Sequence, residues 1–283
     1  MTVLEAIQKS AEFLARKGVE SPRLQTELLL AHLLKMPRMK LYLNFDRVLI
    51  AAETDALREL VKRRGQREPL QHLTGSTSFC GHEIAVSRHV LVPRPETELL
   101  AELGWQFLST PGSPRPTALD FGTGTGCIAI ALAAKCPDAR ITALDVSADA
   151  LILAKQNAEQ NKVADRIEFL HGDGFAALTA GAQFDLIISN PPYIASAEIG
   201  TLEPEVRDFD PRAALDGGAD GLDFYRRLAA EARPFLKLDG KIMLEFGDGQ
   251  AGQIKTIFEA EKWIVEAVRE DYSQRARILI ARF

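Results

Sequence analysis

Apolar residues recur at helical spacing through the first part of the chain. They form two series, which are Val3, Leu4, Ile7, Phe13 and Leu14, then Leu24, Leu28, Leu29, Leu30, Leu33 and Leu34. Ser21 and Pro22 between them are typical of a helix start, where a capping residue precedes a proline in the first turn. A further helix is predicted at residues 53–64, and no strand pattern occurs before about residue 70. We therefore predict a small helical domain over residues 1–70.

The pattern changes at residues 71–93. Short runs of β-forming residues lie around Gly75 and Gly81 in this stretch. They predict a β-hairpin that links the helical domain to the rest of the chain.

From residue 94 onward, strand-like and helix-like apolar runs alternate. The predicted strands cover residues 117–121, 140–144, 166–170, 184–189 and 241–246, and the predicted helices cover residues 99–107, 127–135, 148–160, 222–236 and 254–261. Such alternation predicts a mostly parallel sheet with helices on both faces. We therefore expect an α/β domain over residues 94–283.

The charge balance is acidic, with a formal net charge of -5 over 283 residues. A protein whose main partner is a polyphosphate normally carries a basic face. The basic run Lys62-Arg63-Arg64, with Arg67, is interpreted as a solvated helix end that the helix dipole favours. We therefore expect no stable nucleic-acid partner.

Cysteine and histidine spacing predicts neither a disulfide framework nor a metal site. Three scattered cysteines suit a reducing compartment, and the five histidines lack metal-ligand spacing. The start of the chain carries Glu5 and Lys9 without an apolar segment, and no run approaches ~18 apolar residues. We expect a cytoplasmic protein that has no membrane contact and acts as a monomer.

The segment Asn190-Pro191-Pro192-Tyr193 follows the strand predicted at residues 184–189. Ligands of parallel sheets bind just past the carboxyl ends of the strands. Because prolines lack an N–H, the segment offers carbonyl acceptors, to which the Asn190 side chain adds one and Tyr193 adds a flat face. This set suits a planar NH2 group of an amide, adenine or cytosine, although a proline-stiffened turn is the ordinary alternative.

A glycine-rich loop, Gly122-Thr123-Gly124-Thr125-Gly126, joins the strand at 117–121 to a helix. Glycines let such a turn bend tightly and let a ligand lie against bare backbone at a helix N-terminus. A dinucleotide fingerprint would need Gly or Ala one position later, where a cysteine stands, so a nicotinamide or flavin cofactor is disfavoured.

Two aspartates end the next two strands. Asp145 lies where a carboxylate can accept both hydroxyls of a ribose, and Asp173, followed by Gly174, lies where it could accept from an adenine amino group. Together with the glycine-rich loop and Asn190, these strand ends predict a nucleotide-type ligand site.

At these residues the chain resembles the class I S-adenosylmethionine-dependent methyltransferases, and among them the PrmC/HemK family of release factor glutamine methyltransferases. Further matching motifs are Arg-Pro-Glu-Thr-Glu at 94–98, Ala-Leu-Asp-Gly-Gly-Ala-Asp-Gly-Leu at 214–222, Glu-Phe-Gly at 245–247 with Gln250, and Asp271 with Arg277. The resemblance runs nearly end to end. It implies a Rossmann-like class I methyltransferase sheet with an N-terminal helical domain and a linking hairpin.

The resemblance also implies the reaction, which is methylation of the side-chain amide of the glutamine in the Gly-Gly-Gln motif of class I peptide chain release factors. The helical domain would help to dock the release factor. The residues implied in binding S-adenosylmethionine are Gly122, Thr123, Gly124, Thr125, Gly126, Asp145, Asp173, Gly174 and Asn190. Those implied on the substrate side are Asn190, Pro191, Pro192, Tyr193, Arg94 and Glu96, with Asn190, Pro191 and Tyr193 as the catalytic set.

Three positions depart from the family pattern. Gly174 stands where a bulky, often aromatic residue commonly follows the aspartate, Asp210 replaces a glutamate before Pro211, and Ser273 replaces a glycine. These positions bear on the packing around adenine and on the lid predicted at residues 194–220.

Two other functions compete with glutamine methylation. A nucleic-acid adenine or cytosine amino methyltransferase shares the Asn-Pro-Pro-Tyr chemistry, but it would need base flipping and a basic recognition surface. A non-catalytic S-adenosylmethionine-binding module would bind without turnover, and the intact Asn190 and Tyr193 argue against it.

Overall fold

The computed structural model describes residues 1–110 and 114–283. These described residues fold into two compact units, Met1–Ser76 with Glu203–Phe209, and Thr77–Leu202 with Asp210–Phe283. The domain boundaries predicted at residues 70 and 93 remain predictions. Over the described residues, every helix is too short or too polar to span a lipid bilayer.

Helices and strands are numbered in chain order. The α-helices are α1 (Val3–Arg16), α2 (Pro22–Leu33), α3 (Arg38–Leu41), α4 (Ala51–Gly65), α5 (Leu70–Thr74), α6 (Thr97–Leu108), α7 (Cys127–Lys135), α8 (Ala148–Gln160), α9 (Pro204–Arg207), α10 (Asp223–Glu231) and α11 (Ala251–Ala260). The strands are β1 (Ser76–Phe79), β2 (His82–Ala85), β3 (Thr117–Phe121), β4 (Arg140–Asp145), β5 (Ile167–His171), β6 (Phe184–Ser189), β7 (Leu236–Glu245), β8 (Ile264–Glu270) and β9 (Ala276–Arg282).

The first unit is helical, as the apolar spacing predicts. A capping box starts α1, in which the Glu5 amide donates to Thr2 Oγ1 at 3.2 Å and the Thr2 amide donates to the Glu5 carboxylate at 3.0 Å. Apolar side chains of α1, α2 and α4 form the core of this unit, with Ile7, Leu30 and Leu57 buried among them.

The interpretation of the basic run as a solvated helix end is wrong for two of its arginines. The Arg64 side chain is only 4% exposed and reaches Glu205 at 2.6 Å, and Arg67 reaches Glu203 at 2.7 Å and Glu205 at 2.6 Å. These ion pairs hold the segment Glu203–Phe209 within the first unit. Glu203 and Glu205 lie more than a hundred positions further along the chain than these arginines, so no local sequence pattern predicts the ion pairs.

The hairpin between the helices and the sheet consists of β1 and β2. Cys80 and Gly81 form its turn, both at positive φ (50° and 81°), which is the conformation of a two-residue hairpin loop. Helix α5 occupies the start of the stretch predicted as β-type, so the strands begin only at Ser76.

Within the described residues, seven strands of the second unit form one sheet in the order β5-β4-β3-β6-β7-β9-β8. Pairing is parallel from β5 through β7, and antiparallel where β9 pairs with β7 and β8. Helices α6 and α7 cover one face, and α10 and α11 cover the other. The predicted Rossmann-like α/β fold is confirmed.

The sequence pattern misses the last hairpin and misplaces several boundaries, most of all the end of α10 and the start of β7. Strands β8 and β9 follow the last predicted helix, and β8 alternates exposed and half-buried residues along a sheet edge, where the apolar signal is weak. Helix α10 ends at Glu231, whereas the pattern extends it to residue 236, because Pro234 in the 3-10 turn Arg233–Phe235 cannot continue an α-helix. Strand β7 begins at Leu236, five residues before the predicted strand.

Asn157 on α8 joins three parts of the second unit. Its fully buried side chain accepts from the Ala85 amide at 2.8 Å and donates to the Ala85 carbonyl at 3.1 Å and the Thr125 carbonyl at 3.0 Å. One side chain therefore fixes both the hairpin strand β2 and the glycine-rich loop against α8.

We expect Asn157→Ala to lower the free energy of unfolding by about 2 to 4 kcal/mol, because it leaves the buried carbonyl of Thr125 and the half-buried backbone groups of Ala85 without these partners. Urea denaturation of the full chain measures this loss. Asn161→Ala is the matched control, since the less buried Asn161 side chain donates to the Glu83 carbonyl at 2.9 Å nearby. It should cost less than about 1 kcal/mol, and an equal cost for both variants would contradict the role given to Asn157.

Candidate active site

A cavity of about 250 Å³ lies at the carboxyl ends of the parallel strands β3, β4 and β6. Its wall is built by the loops that follow these strands and by the turn after β5. The predicted site residues on this wall are Arg94, Gly122, Thr123, Gly124, Thr125, Asp145, Asp173, Gly174, Asn190, Pro191 and Pro192. The parallel sheet therefore gathers residues from four separate loops into one site, and Arg94 joins them from the segment before α6.

In the described structure, Gly126, Glu96 and Tyr193 lie off this wall. Gly126 has a φ of 80°, and a Cβ there would lie 3.1 Å from the Cβ of Ala154, so this glycine lets α7 pack closely on α8. Glu96 is exposed at the N-cap of α6. Tyr193 packs against the apolar cluster beside α10 and α11, and burial raises the pKa of its phenol. The site roles of these three residues remain predictions.

The glycine-rich loop is fixed by backbone hydrogen bonds. The amides of Gly122 and Thr123 donate to the Leu144 carbonyl at 2.8 and 2.9 Å. Gly122 and Gly124 have φ values of 75° and 55°, a region that glycine adopts without strain. A Cβ at either glycine would meet no described protein atom within 4 Å. Bare backbone therefore faces the cavity at this loop.

The Asp145 carboxylate is held in place by two backbone amides. Its Oδ2 accepts from Gly124 at 2.8 Å, and its Oδ1 accepts from Ser147 at 2.9 Å. A carboxylate has about four acceptor sites, so each oxygen keeps one for a ligand. This arrangement suits a vicinal diol such as that of a ribose.

Asp120 lies behind the loop and was missed by sequence reasoning. It is 1% exposed, and its Oδ2 accepts from the Thr123 hydroxyl at 2.6 Å and the Ala129 amide at 3.1 Å. Burial raises the pKa of Asp120 to about 7. An acid inside the apolar strand β3 was the available signal, and its contacts tie the loop to the first turn of α7.

Arg227 on α10 accounts for the unusual glycine at position 174. Its guanidinium donates to Asp173 Oδ1 at 2.6 Å and to the Asp173 carbonyl at 3.1 Å. A Cβ at Gly174 would lie 2.4 Å from Arg227 Nη2, and Gly174 has a φ of 64°. The arginine therefore fills the space that a larger side chain at 174 would take, and sequence reasoning gave no sign of this.

Asn190 follows β6, and its amide group is oriented by Thr97. The Asn190 Nδ2 donates to Thr97 Oγ1 at 3.0 Å, and the neighbouring Ser189 hydroxyl donates to the Phe121 carbonyl at 2.6 Å. With its NH2 group engaged, Asn190 has its carbonyl oxygen available as an acceptor. Pro191 comes next and has no backbone donor to compete.

Arg94 is anchored by the acid that replaces a glutamate in the family pattern. Its Nη2 lies 2.6 Å from Asp210 Oδ2, and the Asp210 side chain is 1% exposed. Burial raises the pKa of Asp210, and the adjacent Arg94 opposes the rise. The shorter acid still reaches the arginine, so this departure preserves an ion pair at the cavity wall.

Two known family models match separate parts of the chain. Residues 5–75 match the PrmC N-terminal domain, and residues 101–202 match the methyltransferase small domain. Among solved structures, the chain is similar to a methyltransferase from Pyrococcus furiosus, with 23% identity and a TM-score of 0.52 over 71% of this chain and 88% of that one. The hMettl16 catalytic domain, in complex with MAT2A 3'UTR hairpin 6, gives 18% identity and a TM-score of 0.56 over 71% and 75%. These structures share the fold.

Similarity to curated proteins is closer and spans nearly the whole chain. The release factor glutamine methyltransferase of Geobacter sulfurreducens is 43% identical over 91% of this chain and 88% of its own length. The protein of the same name from Chlorobaculum tepidum is 40% identical over 98% and 95%. The chain belongs to the family of release factor glutamine methyltransferases.

Proposed function

We propose that this enzyme transfers a methyl group from S-adenosylmethionine to the side-chain amide nitrogen of the glutamine in the Gly-Gly-Gln motif of class I peptide chain release factors. Its membership of the family supports the reaction. The observation that carries the proposal is the Asn190 amide, whose NH2 group is engaged by Thr97 and whose carbonyl is left to accept from an NH2 donor at the cavity wall.

The donor set of the cavity fits S-adenosylmethionine. Bare loop backbone at Gly122 and Gly124 would lie along the cofactor, Asp145 would accept from its ribose hydroxyls, and Asp173 would accept from its adenine amino group. When bound, the cofactor supplies an electrophilic methyl group on a sulfonium. Residues of the chain supply acceptors and backbone for it, and Arg227 holds the Asp173 carboxylate in position.

The glutamine would be positioned by acceptors. An amide nitrogen is a poor nucleophile because its lone pair is delocalised. The Asn190 side-chain carbonyl and the Pro191 backbone carbonyl would accept from its two N–H groups, orient the nitrogen, and favour the positive charge that develops there. The N-alkylated amide is strongly acidic and loses one of its two N–H protons to water, so this arrangement requires no strong general base.

A protein substrate is favoured over nucleic acid because arginines of the basic run in the first unit form ion pairs within the protein. Arg64 and Arg67 are neutralised by Glu203 and Glu205, so they are engaged within the protein. We propose that the helical domain, predicted at residues 1–70 and followed by a hairpin linker at 71–93 and a catalytic domain at 94–283, docks the release factor. We propose that the enzyme acts in the cytoplasm and as a monomer.

Asp145→Ala should weaken S-adenosylmethionine binding by ~1.5 to 3 kcal/mol, the scale of charge-assisted hydrogen bonds. Titration calorimetry measures the change. Asp149→Ala is the matched control, because the Asp149 side chain on the neighbouring α8 is 64% exposed and off the cavity wall. Unchanged affinity in Asp145→Ala would remove Asp145 from the site.

Asn190→Ala should lower kcat by ~10² to 10³ with little change in cofactor affinity, because the lost acceptor acts mainly on the transition state. Single-turnover methylation of a release factor, paired with calorimetry, separates the two effects. A kcat within a few-fold of the wild-type value would rule out the acceptor role.

The substrate is expected to be the Gly-Gly-Gln glutamine of a folded release factor. Flanking glycines let its backbone enter a narrow cleft in conformations that other residues resist. Asparagine at that position would leave the amide about an ångström or more short of the methyl group, a misplacement that can cost ~10²-fold. Mass spectrometry of the treated factor should show one added methyl on the glutamine and almost none on the asparagine variant.

Docking is tested with the same assay. A short Gly-Gly-Gln peptide lacks the surface that the helical domain would contact, so it should be a much poorer substrate than the whole factor. Equal turnover of peptide and factor would contradict docking, and methylation of tRNA, rRNA or DNA in parallel incubations would contradict the proposed substrate.

A further inference from the structure

Glu245 is a buried acid next to the candidate active site. It ends β7, which pairs in parallel with β6 up to the partners Ser189 and Leu244, so the register places Glu245 beside Asn190. Glu245 is 3% exposed, and its Oε2 lacks a hydrogen-bond partner among the described residues. A buried, incompletely paired carboxylate is costly, so its presence in a native fold requires a physical explanation.

The other side of the carboxylate faces Thr97 and Asn190. Both side chains lower the pKa of Glu245 and so favour its ionised form, and Thr97 accepts from Asn190 Nδ2 at 3.0 Å. Thr97 and Asn190 line the cavity, whereas Glu245 lies behind them, off the wall. Any effect of Glu245 on a bound substrate must therefore pass through these two side chains.

An ionised carboxylate can only accept hydrogen bonds. The amide of Asn190 has a donor end and an acceptor end, and only its NH2 end is compatible with a neighbouring carboxylate. If the amide flipped, its carbonyl oxygen would face the negative charge and its NH2 group would face the substrate. Glu245 thus supplies a physical reason for the orientation that Asn190 has in the structure.

We propose that Glu245 is a positioning residue that holds the Asn190 amide with its carbonyl oxygen toward the substrate. This proposal rests on the function proposed above for Asn190. A protonated Glu245 would carry an O–H donor and would tolerate either orientation of the amide. The Thr97 hydroxyl can donate as well as accept, so Thr97 fixes the productive orientation only while Glu245 is ionised.

The surroundings of Glu245 place its titration in an accessible range. Burial raises the pKa of Glu245 to about 7, Thr97 lowers it, Glu96 raises it, and Arg277 and Asn190 lower it. The phenols of Tyr193 and Tyr225 also lie close enough to interact with its charge, and the Tyr225 hydroxyl donates to the Glu245 backbone carbonyl at 2.8 Å.

The proposal gives activity and stability opposite dependences on pH. The pKa of Glu245 lies above its ordinary value of 4.5, so its contribution to folding stability is complete below about 4.5 and is lost as the pH rises through about 7. Activity should instead fall as the pH falls through about 7, because protonation releases Asn190. A loss of activity at pH 6 is then not attributable to unfolding driven by Glu245.

The test uses the full-length Glu245→Gln variant, which keeps the size of the side chain but removes its charge. We expect kcat for release factor methylation to fall about 10- to 100-fold, as a misoriented positioning group does, while KM and cofactor affinity stay within about two-fold. The low-pH limb of the kcat profile should disappear in the variant. Wild-type kcat with an unchanged pH profile would overturn the proposal.

A second measurement is independent of turnover. The side-chain NH2 signals of Asn190 in ¹⁵N–¹H NMR, assigned by their loss in Asn190→Asp, should shift with an apparent pKa near 7 in the wild type and lose that titration in Glu245→Gln. Asp120→Asn is the control, because burial also raises the pKa of Asp120 to about 7. Asp120→Asn should leave the Asn190 titration in place. If Asp120→Asn abolished the titration and Glu245→Gln kept it, the proposal would be overturned.

The kinetic assay and the NMR titration together distinguish a failure of this inference from a failure of the proposed function. A wild-type enzyme that fails to methylate the release factor would refute the function, whereas the Asn190 titration would still show whether Glu245 controls the amide. A wild-type enzyme that works, together with a fully active Glu245→Gln variant, would refute only the positioning role.

Discussion

The site depends on the parallel pairing of β3 with β4 on one side and β6 on the other. This pairing brings three strand ends to one edge, and hydrogen bonds between the loops then fix them to each other. The Leu144 carbonyl at the end of β4 holds the amides of Gly122 and Thr123, and the Ser189 hydroxyl at the end of β6 holds the Phe121 carbonyl. Because each loop is held by its neighbour, a shift in one strand would displace the others.

The sequence predicts the parts of the site that are local to a strand end. Buried parallel strands are continuous apolar runs, so the first polar residues after them mark the edge of the sheet. Asp145 and Asn190 come directly after such runs, and Asp173 follows its strand after His171 and Gly172. Gly122 and Gly124 were found because a tight turn at a helix N-terminus needs positive φ. Each of these signals is contained in about ten consecutive residues.

The contacts that sequence reasoning missed join positions that are far apart in the chain. Arg227 reaches back to Asp173, Arg64 reaches forward to Glu205, and Asn157 binds the Ala85 backbone. No periodicity or motif records such pairs, since each partner alone looks like an ordinary polar residue. These long-range contacts nevertheless explain the glycine at position 174 and the burial of Arg64. The ends of strands are thus readable from one sequence, whereas the partners that hold them are not.

Electrostatics gives the site a consistent character. Among the described residues, both arginines of the cavity wall are already neutralised, Arg94 by Asp210 and Arg227 by Asp173. What remains for a ligand is mainly acceptors, namely the Asp145 carboxylate, the Asn190 carbonyl and the backbone around the prolines. A site of this kind binds hydroxyl, amino and amide donors, and it favours positive charge on a sulfonium or on an alkylated nitrogen. Glu245 lies behind Asn190 and is itself an acceptor when ionised. It therefore selects the orientation in which the Asn190 NH2 group faces Glu245 and the Asn190 carbonyl faces the ligand.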